Sequence, residues 1–114
     1  MRKVMLLAPE CICDCLRDML DNRYITLPCS DPAAGEEPLH RNPDALILNL
    51  CLEGTDGLTF LKANTGLLPS VVIALTPFVS EELLMDLSKY GVTSVLLLPF
   101  RIESLGAELP RLLE

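Results

Sequence analysis

Short apolar runs that alternate with stretches of helical period constrain the fold of this chain more than anything else in it. The runs fall at residues 4–8, 24–27, 45–50, 70–75 and 94–98. Each has the length of a strand and is too short for a buried helix. Residues 4–8 contain no polar side chain, as expected of a strand buried on both faces of a parallel sheet. In residues 10–22, Ile12, Leu16, Met19 and Leu20 share one helical stripe. Further helices are expected over residues 56–64, 80–90 and 102–109. Ser80 is a good N-cap, Glu81 and Glu82 suit the first turn, and Gly91 suits the position after the last. Strand–helix repeats joined by right-handed crossovers build an α/β doubly wound parallel sheet.

Two segments break the pattern. Residues 28–44 hold Pro32, Gly35, Pro38 and Pro43, so the second helix should be short or absent. At most, Asp31 caps one or two turns through Glu37 with Pro32 at the first helical position. Pro110 lies inside the last helical pattern and is expected to end or kink it.

With 114 residues, the chain is long enough to bury its own core and is expected to be one domain, 1–114. A net charge of −7 argues against nucleic acid and against an anionic membrane surface. No apolar run approaches the roughly 20 residues of a membrane span. Arg2 and Lys3 are not followed by a secretory signal pattern. Five cysteines, an odd number without a small-secreted-domain composition, are expected to be reduced thiols in the cytoplasm.

The residues from Asp44 to Leu58 carry the strongest motif: an apolar strand ending in Asn49, then Leu-Cys-Leu-Glu-Gly-Thr-Asp-Gly. This resembles the phosphoacceptor strand of response-regulator receiver domains, which ends in Asp and leads through Pro-Gly-x-Asp-Gly into a helix. Asn49 stands at the acceptor position and Glu53 at that of the Pro. Pro69 to Phe78 resembles the fourth strand with its Thr. Tyr90 to Phe100 resembles the family's Gly-Ala-x-x-Tyr-Leu-x-Lys-Pro-Phe signature.

The resemblance covers nearly the whole chain and implies a flavodoxin-like (βα)5 sheet in the order 2-1-3-4-5. It also implies what is missing. In the family, two acids after the first strand hold Mg²⁺ beside the acceptor, and a Thr and a Lys contact the phosphoryl group. These groups neutralise the charge that builds up in phosphoryl transfer. Here the acid pair falls on Ala8 and Pro9, the acceptor on Asn49 and the Lys on Leu98. Thr76 alone survives. The family's switching aromatic falls on Val95. An amide is no nucleophile, so no catalytic residue, cofactor or Mg²⁺ is expected. Loss of both signs of charge together leaves none orphaned.

The resemblance then implies a non-phosphorylatable, pseudo-receiver signalling domain that works by contacting a protein partner, a second copy of the chain included. The partner face would run over the fourth helix, fifth strand and fifth helix, with Met85, Tyr90 and Val95 as candidates. On that helix Leu83, Leu87 and Tyr90 share a face with Leu84 at its margin, and Met85 points away.

A different function class rests on thiols. Cys11, Cys13, Cys29 and Cys51 all fall toward the carboxyl ends of the predicted strands, as a metal or redox sensor would need. Helical geometry splays Cys11, Cys13 and Cys15 by ~100° per residue, which leaves only Cys11 and Cys15 able to meet. The spacing of Cys11 and Arg17 matches the bare Cys-x5-Arg of low-molecular-weight tyrosine phosphatases. The intervening residues include no Gly to shape a phosphate cradle, and neither Ser nor Thr follows the Arg. His40, the single histidine, is expected to be a solvated loop residue.

Overall fold

The computed structural model describes residues 1–52, 54–98 and 102–113. Glu53, Pro99 and Phe100, which take part in the motifs above, lie outside the described residues. The elements are β1 (Lys3–Leu7), α1 (Glu10–Leu20), β2 (Ile25–Cys29), a 3₁₀ turn (Pro32–Ala34), α2 (Glu36–Leu39) and β3 (Ala45–Asn49). A hairpin of β4 (Cys51–Leu52) and β5 (Thr55–Asp56) follows, then α3 (Gly57–Ala63) and a second 3₁₀ turn (Thr65–Leu67). The remainder is β6 (Val71–Thr76), α4 (Glu81–Lys89), β7 (Ser94–Leu97) and α5 (Ile102–Leu113).

The main sheet has the order β2-β1-β3-β6-β7, and every pairing in it is parallel. With the small hairpin left out, this is the expected order 2-1-3-4-5 of the flavodoxin-like fold. Strand alternation sorts the core into two layers. Val4, Leu6, Ala45, Ile47, Ile73 and Leu75 point to one face, where Leu16 and Leu20 of α1 and Leu105 and Leu109 of α5 cover them. Met5, Leu7, Leu46, Leu48, Val72 and Ala74 point to the other, under Leu39, Phe60, Leu61 and Leu87. β1, β3 and β6 are thus buried on both sides, which explains their unbroken apolar sequence.

Boundaries moved where local bonds compete. Tyr24 was expected to open the second strand, but its N–H bonds the Leu20 carbonyl at 2.9 Å and closes the turn after α1. The strand instead runs on to Cys29 through Pro28, which an edge strand tolerates because no ladder bond is needed on its open side. Leu50 leaves the third strand and Leu98 the fifth as the chain turns toward the next element, although the Leu98 N–H still reaches the Thr76 carbonyl at 2.7 Å. The broken second helix appears as expected: the Asp31 carboxylate accepts from the Ala33 N–H at 3.0 Å over a 3₁₀ turn, and one turn of α-helix follows. Ser80 caps α4 by accepting from the Leu83 N–H at 3.1 Å. Gly91, at φ +79°, takes the left-handed position that ends it.

Pro110 does not end α5, which continues to Leu113 with the proline inside it. Leu109 and Leu113 on either side are both buried in the α1/α5 layer. Burying each is worth about 1.5–3 kcal/mol, enough to offset the roughly 3 kcal/mol that an interior proline costs a helix.

Candidate functional site

The carboxyl ends of the central strands converge, and they bring Ala8, Asn49, Thr76 and Leu98 together. Asn49 closes β3 opposite Leu75 of β6, and Thr76 closes β6 opposite Leu97 of β7. Ala8 follows β1 and is fully buried, its N–H reaching the Cys29 carbonyl at 3.3 Å. Pro9 is the residue before α1 and offers it no side-chain cap. Leu98 is half-buried and packs against the α1/α5 core layer.

Asn49 and Thr76 are the buried polar side chains here, 3% and 1% exposed. The Asn49 amide Nδ2 donates to the Cys51 carbonyl at 3.1 Å. Its Oδ1 has no hydrogen-bond partner among the described residues. The Thr76 hydroxyl donates to the Phe78 carbonyl at 2.9 Å and accepts from the Phe78 N–H at 3.5 Å. It is occupied with its own turn.

The sharp turn after Asn49 depends on Gly57. Its N–H bonds the Leu50 carbonyl at 2.8 Å. A Cβ there would sit 2.7 Å from Leu50 Cδ2 and 3.0 Å from Leu50 Cα, so only glycine lets α3 start this close to the end of β3. Asp56, just before it, accepts from the Thr59 N–H at 2.7 Å and caps α3. Beside the turn lies a largely apolar cavity of about 260 Å³ bordered by Leu50, Leu58, Thr76, Phe78 and Leu83.

The donor set does not fit a divalent cation of the Mg²⁺ type. Ala8 and Pro9 supply no side-chain oxygen, and Asn49 supplies one neutral carbonyl. Hard cations need several oxygens, carboxylates among them. Among the described residues, no three His, Cys, Asp or Glu side chains are grouped to hold a metal ion.

The cysteines do not assemble as the sensor reading requires. Cys13 is buried and faces the Ala8 carbonyl at 3.3 Å, and burial pushes its thiol pKa up. Cys29 is half-buried, donates to the Asp31 carbonyl at 3.1 Å, and is likewise pushed up by burial. Cys11 and Cys51 are exposed, as is Cys15. The turn of α1 sends Cys13 into the core and its neighbours outward. His40 is exposed, with Nε2 3.4 Å from a Glu36 carboxylate oxygen.

The residues expected on a partner face differ in their exposure. Tyr90 and Val95 are half-buried against the α2–α4 core layer, because both lie on the inward side of their elements. Met85 is 62% exposed, and Leu84, Leu97, Phe78 and Val79 join it in solvent. Strand alternation puts Leu97 on the same face as Val95, a signal legible in the sequence. Phe78 and Val79 stand out there as apolar residues between a strand and a helix cap.

No family model matches the sequence, and no curated protein matches it. Solved structures do. A two-component response regulator from Clostridium difficile superposes with a TM-score of 0.89 at 17% identity, over 99% of this chain and 96% of that one. A chemotaxis protein of Vibrio cholerae gives 0.88 at 23% identity, over 98% of each chain. A CheY-like receiver domain from Methanospirillum hungatei gives 0.87 at 16%, over 99% and 94%. The chain has the fold of receiver domains.

Proposed function

We propose that this chain is a receiver-like signalling domain that accepts no phosphoryl group and acts by binding another protein. The observation that carries the reading is Asn49, a neutral amide 3% exposed at the end of β3. A phosphoacceptor must be a nucleophilic carboxylate with cations beside it. Around Asn49 the equivalent positions hold Ala8, Pro9 and Leu98, so neither the nucleophile nor the counter-charge is available. Thr76 already bonds its own turn, and Val95 has no ring to swing.

Exposed apolar side chains support a contact surface on the α4–β7 side. Met85 adapts its shape to a partner more readily than a branched residue does, and Leu84 and Leu97 add area beside it. The partner is a protein, with a second copy of the chain as the simplest case.

Beryllium fluoride with Mg²⁺ mimics the phosphorylated state of a competent receiver and tests the first half of the proposal. The amide spectrum of the labelled protein should not change on its addition. Saturable shifts at Asn49 and Thr76 would overturn the reading.

A further inference from the structure

Cys11 and Cys15 are both exposed and stand four residues apart within α1. Residues so spaced lie on one face, with Cβ atoms about 5–6 Å apart. Cys13, between them, is turned into the core. The exposed Asp14 and Asp18 follow at i+3 and i+7 from Cys11 and continue the same stripe. Glu10 adds a third exposed carboxylate on this helix, and Arg17 is its only base.

That spacing selects among thiol chemistries. A disulfide needs Cβ atoms about 3.5–4.5 Å apart, so the pair cannot oxidise to one without unwinding the helix. An ion set in line between two thiolates holds its sulfurs about 4–5 Å apart, a span that side chains on Cβ atoms about 5–6 Å apart can reach. Because no third His, Cys, Asp or Glu joins the pair among the described residues, a tetrahedral zinc site would be left half-built. Soft thiolates without further ligands suit a soft monovalent cation.

The geometry points to a two-thiolate site for Cu(I) on the outer face of α1. Each thiol releases a proton as it binds, so one Cu(I) enters, two protons leave and no oxidation state changes. Asp14 and Asp18 favour the incoming cation by their charge and remain in water. The site lies on the opposite layer from α4 and does not depend on the proposed partner surface.

Fully reduced protein titrated with Cu(I) held by bicinchoninate should take up one equivalent and bleach the chelator's colour. Uptake should weaken as pH falls, because protons compete for the thiolates. Cys11→Ser and Cys15→Ser should each abolish it, while Cys29→Ser and Cys51→Ser keep the full equivalent. Circular dichroism confirms that each variant is folded. Undiminished uptake by folded Cys15→Ser, no uptake by the parent protein, or half an equivalent with copper-linked dimers would each overturn the site.

Discussion

Asn49 donates its amide nitrogen to the Cys51 carbonyl at 3.1 Å, while its equally buried oxygen finds no partner among the described residues. The bond ties the end of β3 to the hairpin that follows. The orphaned oxygen costs on the order of 1–3 kcal/mol, a modest sum for a neutral group. A carboxylate in the same place would be far more expensive.

Asn49→Asp should therefore destabilise the fold by about 3–5 kcal/mol at neutral pH, the cost of an unpaired buried charge. Burial disfavours the ionised form, so the folded-state pKa of the new carboxyl lies above its unfolded value of about 3.9. Stability is then retained below that value and lost as pH rises through the folded pKa. Urea denaturation across this range should show the gap to the parent protein widening with pH. A gap independent of pH would mean that the carboxylate finds a cation or water the present structure does not offer it.

Gly57→Ala should cost about 1–3 kcal/mol by overpacking. The new methyl would meet Leu50 Cα at 3.0 Å and the Asn49 carbonyl at 3.2 Å, and backbone atoms cannot rotate away as a side-chain tip can. The urea midpoint reads the loss. An unchanged midpoint would show that the hairpin shifts freely and that the turn does not hold Asn49 in place.

Glu108 links α5 to β7, accepting from the Ser94 hydroxyl at 2.9 Å and from Arg111 Nη2 at 2.9 Å. The Arg111 hydrogen bond, then that of Ser94, holds its carboxyl below the usual range. Its stabilising effect is therefore present above the unfolded value of about 4.3 and fades as pH falls through the lower folded one. Because Arg111 is largely exposed and Glu108 only half-buried, the effect is small and screened by salt. Glu108→Gln should flatten this part of the acid limb in a melting-temperature profile, and high salt should shrink the difference between the two proteins.

Met85→Glu combined with Leu97→Glu should leave folding unchanged within about 0.5 kcal/mol, since both side chains already lie in solvent. Native mass spectrometry of the parent protein should find it paired with a second copy or a captured protein, and the double variant alone. If the variant keeps its partner, the contact lies elsewhere on the surface.

Most of the architecture was legible because burial on both faces forces unbroken apolar strands. Ser80, Asp31 and Gly91 mark element ends by local hydrogen bonding and backbone preference, which a sequence displays directly. That Asn49 is a neutral amide, and that Ala8, Pro9 and Leu98 carry no charge, could be read in the same way. What local rules could not supply was the outcome of competition. Pro110 breaks an isolated helix, yet burial of Leu109 and Leu113 carries α5 past it. Met85 on α4 and Tyr90 just past its end follow one amphipathic pattern, but only the packed sheet decides which is half-covered and which is left in water. Helical spacing alone sets Cys13 apart from Cys11 and Cys15, but only the docking of α1 on the sheet decides that Cys13 is turned inward and the other two outward. Identity, spacing and local preference are properties of the chain; which face is buried is a free energy summed over elements far apart in it, and that only the tertiary structure decides.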